Sequence, residues 1–365
     1  MVEYLSGNRI QGSSTLTEAP PQTSWKELGR YTLNTTSATI RVGNGTQTGS
    51  GTGSGNFTAK DNLRVLISLD TASSDGVRLS IRFNSDGTNT DNYTFRNVNG
   101  SNTSAPSFDS AQTSQDFIYV TESDLHNGAF VVLDISNVEN KEKYVTGDSV
   151  RTSSTSATAP AMYKTYGKWK NTSDQITSIT VQDKNGYNMN AGTEVIVLGF
   201  DNDEPDSGTN YWTELCNVEE ASTASSITSG DFTAPKYIMG SFMCNYSGDS
   251  NSIMRFNSNS SGSKYGQKNW YGSGNLSDNA SRNDFTFADS STHDALETFF
   301  IIKNQDDQQK LIINANTNNP STGTGRPNFY DQWGKWIEDD QITNITCSAS
   351  SGGYTYKNLR LWGGN

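Results

Sequence analysis

The chain has 365 residues, a formal net charge of −12 and only two histidines. With 7 Trp, 16 Tyr and 15 Phe it is too aromatic for a disordered chain, while its surplus of Ser, Thr, Asn and Gly suits turns and exposed strand faces. The acidic balance, with no Lys/Arg stripe, excludes a nucleic-acid partner, and no run reaches the roughly 18 apolar residues of a membrane span.

From the N-terminus, residues 1–23 read as an arm outside any repeated unit. Its opening, "MVEYLSGNRIQGSS", has no apolar h-region, so no Sec-type signal peptide is expected. Tyr4, Leu5 and Ile10 are candidates for docking on a partner in an assembly, the alternative being a frayed terminus. Pro20 and Pro21 stiffen the entry to the first domain.

Residues 24–205 and 206–365 then read as two copies of one domain, joined near Asp201–Asn210. "WKELGRYTL" from Trp25 answers "WTELCNVEE" from Trp212, and "GNFTA" from Gly55 answers "GDFTA" from Gly230. "RFNSDGTNTDNY" (Arg82–Tyr93) returns as "RFNSNSSGSKY" (Arg255–Tyr265), read here as one hairpin kept twice with Phe83 and Phe256 as core anchors. "GKW" at Gly167 and Gly334 is followed in each copy by "DQIT", at Asp174 and Asp340. The offset between copies falls from 187 residues at Trp25/Trp212 to 167 at Trp169/Trp336, mostly across the Gly/Thr/Ser segment Gly43–Gly55, where an insertion costs little. Alternating apolar runs such as "LRVLISLD", "VRLSIRFN", "AFVVLDIS" and "EVIVLGFD" are bounded by turn residues, and the second copy has its own set. About eight short strands per copy without intervening helices predict an all-β chain of two tandem, internally duplicated jelly-roll-like β-sandwiches.

Signals for chemistry are sparse. His126 and His293 lie in polar loops before strands, with no nucleophile, metalloprotease or P-loop motif nearby, so a non-enzymatic protein is expected. Two oxygen-rich loops, Asp86/Asn89/Asp91 and Asp201/Asp203/Asp206, have ligand types that Ca²⁺ uses; turn chemistry explains the same residues without a cofactor. The three cysteines fall in the second copy, and Cys244 and Cys347 align with Leu69 and Val181, which predicts buried free thiols. Trp25, Trp212, Trp169 and Trp336 recur at matched positions, as core residues do. Trp270 and Tyr271 stand where the first copy has Val98 and Asn99, as either a ligand-contact surface or a deeper local core.

The run W-x-E-L, then R-F-N-S-D/N with a Tyr a few residues on, together with "YLSGNRIQG", resembles tandem β-sandwich virion structural proteins of marine tailed phages and archaeal viruses. That resemblance implies a capsid, decoration or tail-fibre subunit on a virion or extracellular surface, with further copies of itself, other virion proteins and host surface glycans as partners. It carries over no catalytic residue. A carbohydrate-binding adhesin is the alternative, and a glycan-active enzyme, which needs only two suitably spaced carboxylates, is a third reading.

Overall fold

Leu63, Val65, Ile67 and Leu69 alternate along one strand and enter one core, while Leu66 on the opposite face enters another. This two-sided apolar pattern marks a sheet covered on both faces, and it recurs across the molecule. The structure, a computed structural model, describes residues 2–5, 9–12 and 25–365, apart from 46, 49–51, 73–76, 85, 87–90, 101–106, 109–110, 123–127, 153–155, 202–208, 247–250, 272–275, 288–292 and 321–327. Among the described residues there is no helix, and so none long and apolar enough to cross a membrane.

The first copy contributes β1 (Lys26–Thr32), β2 (Thr39–Val42), β3 (Asn62–Leu69), β4 (Leu79–Phe83), β5 (Tyr93–Gly100), β6 (Ile118–Tyr119), β7 (Ala129–Ser136), β8 (Lys143–Arg151), β9 (Ala161–Trp169), β10 (Ile179–Asp183) and β11 (Glu194–Phe200). The second contributes β12 (Thr213–Glu220), β13 (Ser226–Thr228), β14 (Tyr237–Tyr246), β15 (Ser252–Phe256), β16 (Tyr265–Tyr271), β17 (Phe285–Thr286), β18 (His293–Lys303), β19 (Lys310–Pro320), β20 (Asn328–Trp336), β21 (Ile345–Ala349) and β22 (Tyr354–Gly364). The large sheets have the orders β5-β9-β8-β7-β3-β11-β1 and β16-β20-β19-β18-β14-β22-β12, and the small sheets β6-β4-β10-β2 and β17-β15-β21-β13. Each strand of the first copy thus has its counterpart eleven places later, in the same sheet position.

Successive strands pass from one sheet to the other at almost every connection, which is the jelly-roll wrap, with β7–β9 and β18–β20 as three-strand meanders in the large sheets. Short extra strands at 107–108, 112–115 and 276–282 extend the large sheets. Residues 47–48 and 52–53, within the expected loop insertion, extend only the first copy's small sheet. There Arg41 donates to the Gly53 and Gly55 carbonyls at 2.8 and 2.9 Å. Val2–Leu5 and Arg9–Gly12 form a separate hairpin.

The twice-repeated phrase is not a hairpin. β4 and β15 lie in the small sheets, β5 and β16 in the large ones, so each phrase arches between layers. Phe83, Tyr93 and Trp169 meet in one core, and Phe256, Tyr265 and Trp336 in the other, with Phe–Trp centroids 5.6 and 5.5 Å apart. Each Tyr hydroxyl accepts from the Phe backbone N–H at 3.0 Å. The Asn after each Phe adopts a positive φ, 55° at Asn84 and 50° at Asn257. Its amide bonds not to its own turn but to the "DQIT" stretch. Asn84 Oδ1 accepts from Thr177 N at 2.8 Å, and Asn257 Oδ1 from Thr343 N at 2.8 Å. Asn137 and Asn304 clamp the same stretches, accepting from Ile176 N at 2.6 Å and Ile342 N at 2.7 Å. The repeated phrases are therefore two ends of one contact that both sandwiches keep.

Candidate functional site at the seam between the sandwiches

The two large sheets pack against each other. Leu66, Val98, Phe130, Val132, Val150, Met162, Ile196 and Leu198 of the first sandwich share one buried cluster with Trp212, Tyr237, Met239, Ile301, Leu311 and Trp333 of the second. At about 1.5–3 kcal/mol for each large side chain buried, such a cluster outweighs the freedom lost in docking two tethered domains. Gly266 lets residues 157–158 of the first sandwich approach closely: a Cβ there would lie 2.4 Å from the Thr158 carbonyl. The equivalent residue in the first copy is Thr94.

Charged groups are set within this apolar seam. Lys164 Nζ lies 2.9 Å from Asp148 and 3.0 Å from Asp331 of the other sandwich, and 5.4 Å from the centre of the Trp333 ring. Burial opposes its charge, but the two carboxylates raise its pKa overall. Glu194, 1 % exposed, accepts from Arg30 (3.0 Å), Thr32 (3.0 Å), Lys236 (3.1 Å) and the Tyr237 hydroxyl (2.9 Å). Burial pushes its carboxyl up, and Arg30 and Lys236 together bring it below its ordinary value. Two of those donors come from each sandwich, so this acid ties the halves together.

Three lysines of the second sandwich, Lys303 and Lys335 on the seam face and Lys310 on the core face, are shifted the other way. Burial lowers Lys303 to about 7, Lys310 to about 8 and Lys335 to about 8. Lys303 Nζ donates to the Leu69 carbonyl of the first sandwich at 2.8 Å. It lines a cleft of about 190 Å³ with Asp70, Thr152, Asp307 and Asp339. A near-neutral buried amine in a cleft has the makings of a base or nucleophile. This cleft, however, is smaller than the roughly 300–1,000 Å³ of most small-molecule sites. Lys310 and its first-copy counterpart Lys143 are both wrapped by backbone carbonyls: Lys143 donates to Lys141 O at 2.6 Å, and Lys310 to Asp339 O at 2.6 Å and to Gln308 O.

The residues singled out from sequence are scattered. Asp86 accepts from Trp169 Nε1 at 2.8 Å and Asn92 at 2.7 Å, Asp91 is exposed, and Asn89 lies outside the described residues. Asp201 binds Lys60 at 3.0 Å and Asp61 N at 2.7 Å, and Asp203 and Asp206 lie outside the described residues. Among the described residues no group of three or more His, Cys, Asp or Glu is placed to hold a metal. His126 and the side chain of His293 are outside them too. Trp270 packs on the seam cluster, whereas Tyr271 meets Tyr330 edge-on at 4.9 Å, so the pair is split between two environments. Trp25 and Trp212 both join the seam, and Tyr211 N bonds Trp25 O at 2.8 Å. Cys216, Cys244 and Cys347 are free thiols, the last two buried. In the arm, Tyr4 pairs with Ile10 and Leu5 with Arg9 across the hairpin, and their side chains lie outside the described residues. Sequence reading missed Glu194, Lys164 and Lys303. The repeat of a lysine at the start of β8 and β19, in "KEKYV" and "QQKLI", points only to Lys143 and Lys310.

No family model and no curated protein matches the sequence. Among solved structures, an acyl-CoA hydrolase from Agrobacterium tumefaciens matches at 7 % identity and a TM-score of 0.12, over 61 % of this chain and 75 % of that one. Human GIVD cytosolic phospholipase A2 matches at 6 % identity and a TM-score of 0.14, over 84 % of this chain and 33 % of that one. Likenesses this slight carry no argument about fold or activity.

Proposed function

We propose that this chain is a non-enzymatic virion structural protein, a two-sandwich subunit of a symmetric surface assembly of capsid, decoration or fibre type. The observation that carries this reading is the seam, where an apolar cluster and the Glu194 and Lys164 ion pairs hold two jelly rolls in one fixed relation. A building block that repeats on a surface needs such rigidity, because small errors in subunit geometry accumulate around a ring or lattice. The singled-out groups whose contacts are described add support, since Asp86, Trp169 and Asp201 are engaged in holding turns and layers together. Partners under this reading are further copies, other virion proteins and host surface glycans. Electron microscopy of the purified protein tests it: rings, tubes, fibres or sheets are expected. A chain that stays single at high concentration and binds glycans in that state would replace it with the adhesin reading, and released reducing ends with a glycan-active enzyme.

A further inference from the structure

The two sandwiches do not meet through the same surface. On the first copy the covered part of the large sheet is the end bearing Val98, Phe130, Val132, Val150 and Met162. On the second copy it is the opposite end, bearing Tyr237, Met239, Leu311, Ile313 and Trp333. Matched strand for strand, the second copy's counterparts of Val132 and Met162 are Phe299 and Phe329, which are 43 % and 49 % exposed. The first copy's counterparts of Leu311 and Trp333 are Tyr144 and Tyr166, 55 % and 46 % exposed. The match rests on register: Trp169 pairs with Lys143 and Tyr93, and Trp336 with Lys310 and Tyr265. Of the seven large apolar side chains exposed among the described residues, five lie on these two patches, the fifth being Met243. A contact that uses different surfaces on its two sides is heterologous, and it leaves one unused surface of each kind.

We propose that these unused surfaces bind each other between molecules, the Phe299/Phe329 patch of one chain docking on the Tyr144/Tyr166 patch of the next, so that copies join head to tail. The partner is a second copy because each patch is the structural counterpart of one that already binds its complement inside the chain. The shape of the receiving side agrees. Tyr144 and Tyr166 border an open, mostly apolar groove of about 500 Å³ with Thr94, Phe95, Arg96 and Lys168, wide enough for a phenyl ring. Charge agrees as well: Arg96 is exposed on the groove side and Glu297 beside Phe299 on the other. The surface rests on the assembly reading only for its setting on a particle, and the pairing follows from the sheets.

Single-cysteine variants test it, made in a Cys216→Ser background because Cys216 is the one native thiol that is not buried. Tyr166→Cys and Phe329→Cys proteins are treated with a short bismaleimide, singly and mixed. Crosslinked dimers are expected in the mixture at several times the yield of either variant alone. No crosslinking in the mixture, or equal crosslinking in each variant alone, overturns the head-to-tail pairing. A Phe329→Asp variant supplies the second readout, chosen because Phe299 also borders the internal seam beside Val132 and Asp134: its melting should match the parent, and its self-association by sedimentation should weaken at least tenfold. Undiminished association in that variant sinks the surface, even if particles seen by microscopy leave the assembly reading standing. Crosslinking without any particle would leave the surface standing and sink that reading instead.

Discussion

Asn84 and Asn257 each satisfy several backbone groups of a distant segment from a backbone conformation that few side chains tolerate. Replacing Asn84 by Gly keeps the positive φ at little strain but strands the Thr177 and Ser178 N–H groups, so a loss of about 2–3 kcal/mol is expected. Asn84→Ala should cost about 1 kcal/mol more, because Ala also carries the left-handed strain. Urea midpoints of the two variants separate the terms, and equal midpoints would show that φ contributes nothing. Lys303 makes a prediction of the opposite kind. Its folded pKa is about 7, against roughly 10.4 for an unfolded lysine. Between those values the unfolded chain binds the additional proton, so stability rises with pH across that window, by at most about 1.4 kcal/mol per unit and per group. Lys310 and Lys335, each lowered to about 8, add to the slope from pH 8 upward. Of the acids lining the same cleft, Asp70, Asp307 and Asp339, it is Asp70 that favours the charged Lys303 amine, without offsetting its burial. Urea midpoints should therefore climb from pH 7 to 9.5, and Lys303→Met should flatten the lower half of that climb. A midpoint that falls with pH, or an unchanged slope in the variant, would contradict this account.

The duplicated elements act as controls for one another. β9 and β20 end in Trp169 and Trp336, which pack on the same Phe and Tyr partners in their own cores. They differ in one bond. Trp169 Nε1 donates to Asp86, whereas Trp336 Nε1 has no partner among the described residues, because Asn259 at that position uses its side chain on Ser261. Trp169→Phe should therefore destabilise by about 1–2 kcal/mol more than Trp336→Phe, since only the first breaks a charge-assisted hydrogen bond while both lose the same volume. Unfolding curves that shift equally would mean that Asp86 contributes nothing through the indole. The arches between β4 and β5 and between β15 and β16 obey the same logic. A local phrase looks like a hairpin, but its two strands are drawn into opposite sheets by Phe83 and Tyr93, or Phe256 and Tyr265, packing across the core.

For the whole molecule, a seam with fourteen buried apolar residues makes the halves mutually dependent. Calorimetry should show one cooperative transition for the 365-residue chain. Two well-separated transitions would mean that the seam is weaker than its composition implies. Trp333→Ala, which hollows the seam from the second sandwich while leaving both sandwich cores intact, should cost about 3–5 kcal/mol. Its effect should appear first as a loss of cooperativity between the halves.

Much of this architecture is written locally. The period-2 runs, the turn residues between them and the offsets between Trp25 and Trp212 or Trp169 and Trp336 were enough to read an all-β, duplicated, two-sandwich chain, because strand formation and core alternation depend on near neighbours. The buried thiols at Cys244 and Cys347 were legible for the same reason, as each takes the place of an apolar residue in the other copy. What the second face of each large sheet touches was not legible. Leu66, Val98 and Ile196 read as ordinary strand residues, and no local pattern tells a face covered by a second domain from one covered by a helix or left for another chain. The opposite fates of Met162 and Phe329, one buried and one exposed at equivalent positions, come from how far one sheet is displaced along the other. That displacement is a balance among seam contacts from residues far apart in the chain, Glu194 with Tyr237 and Lys164 with Asp331 among them, and only the folded molecule determines it.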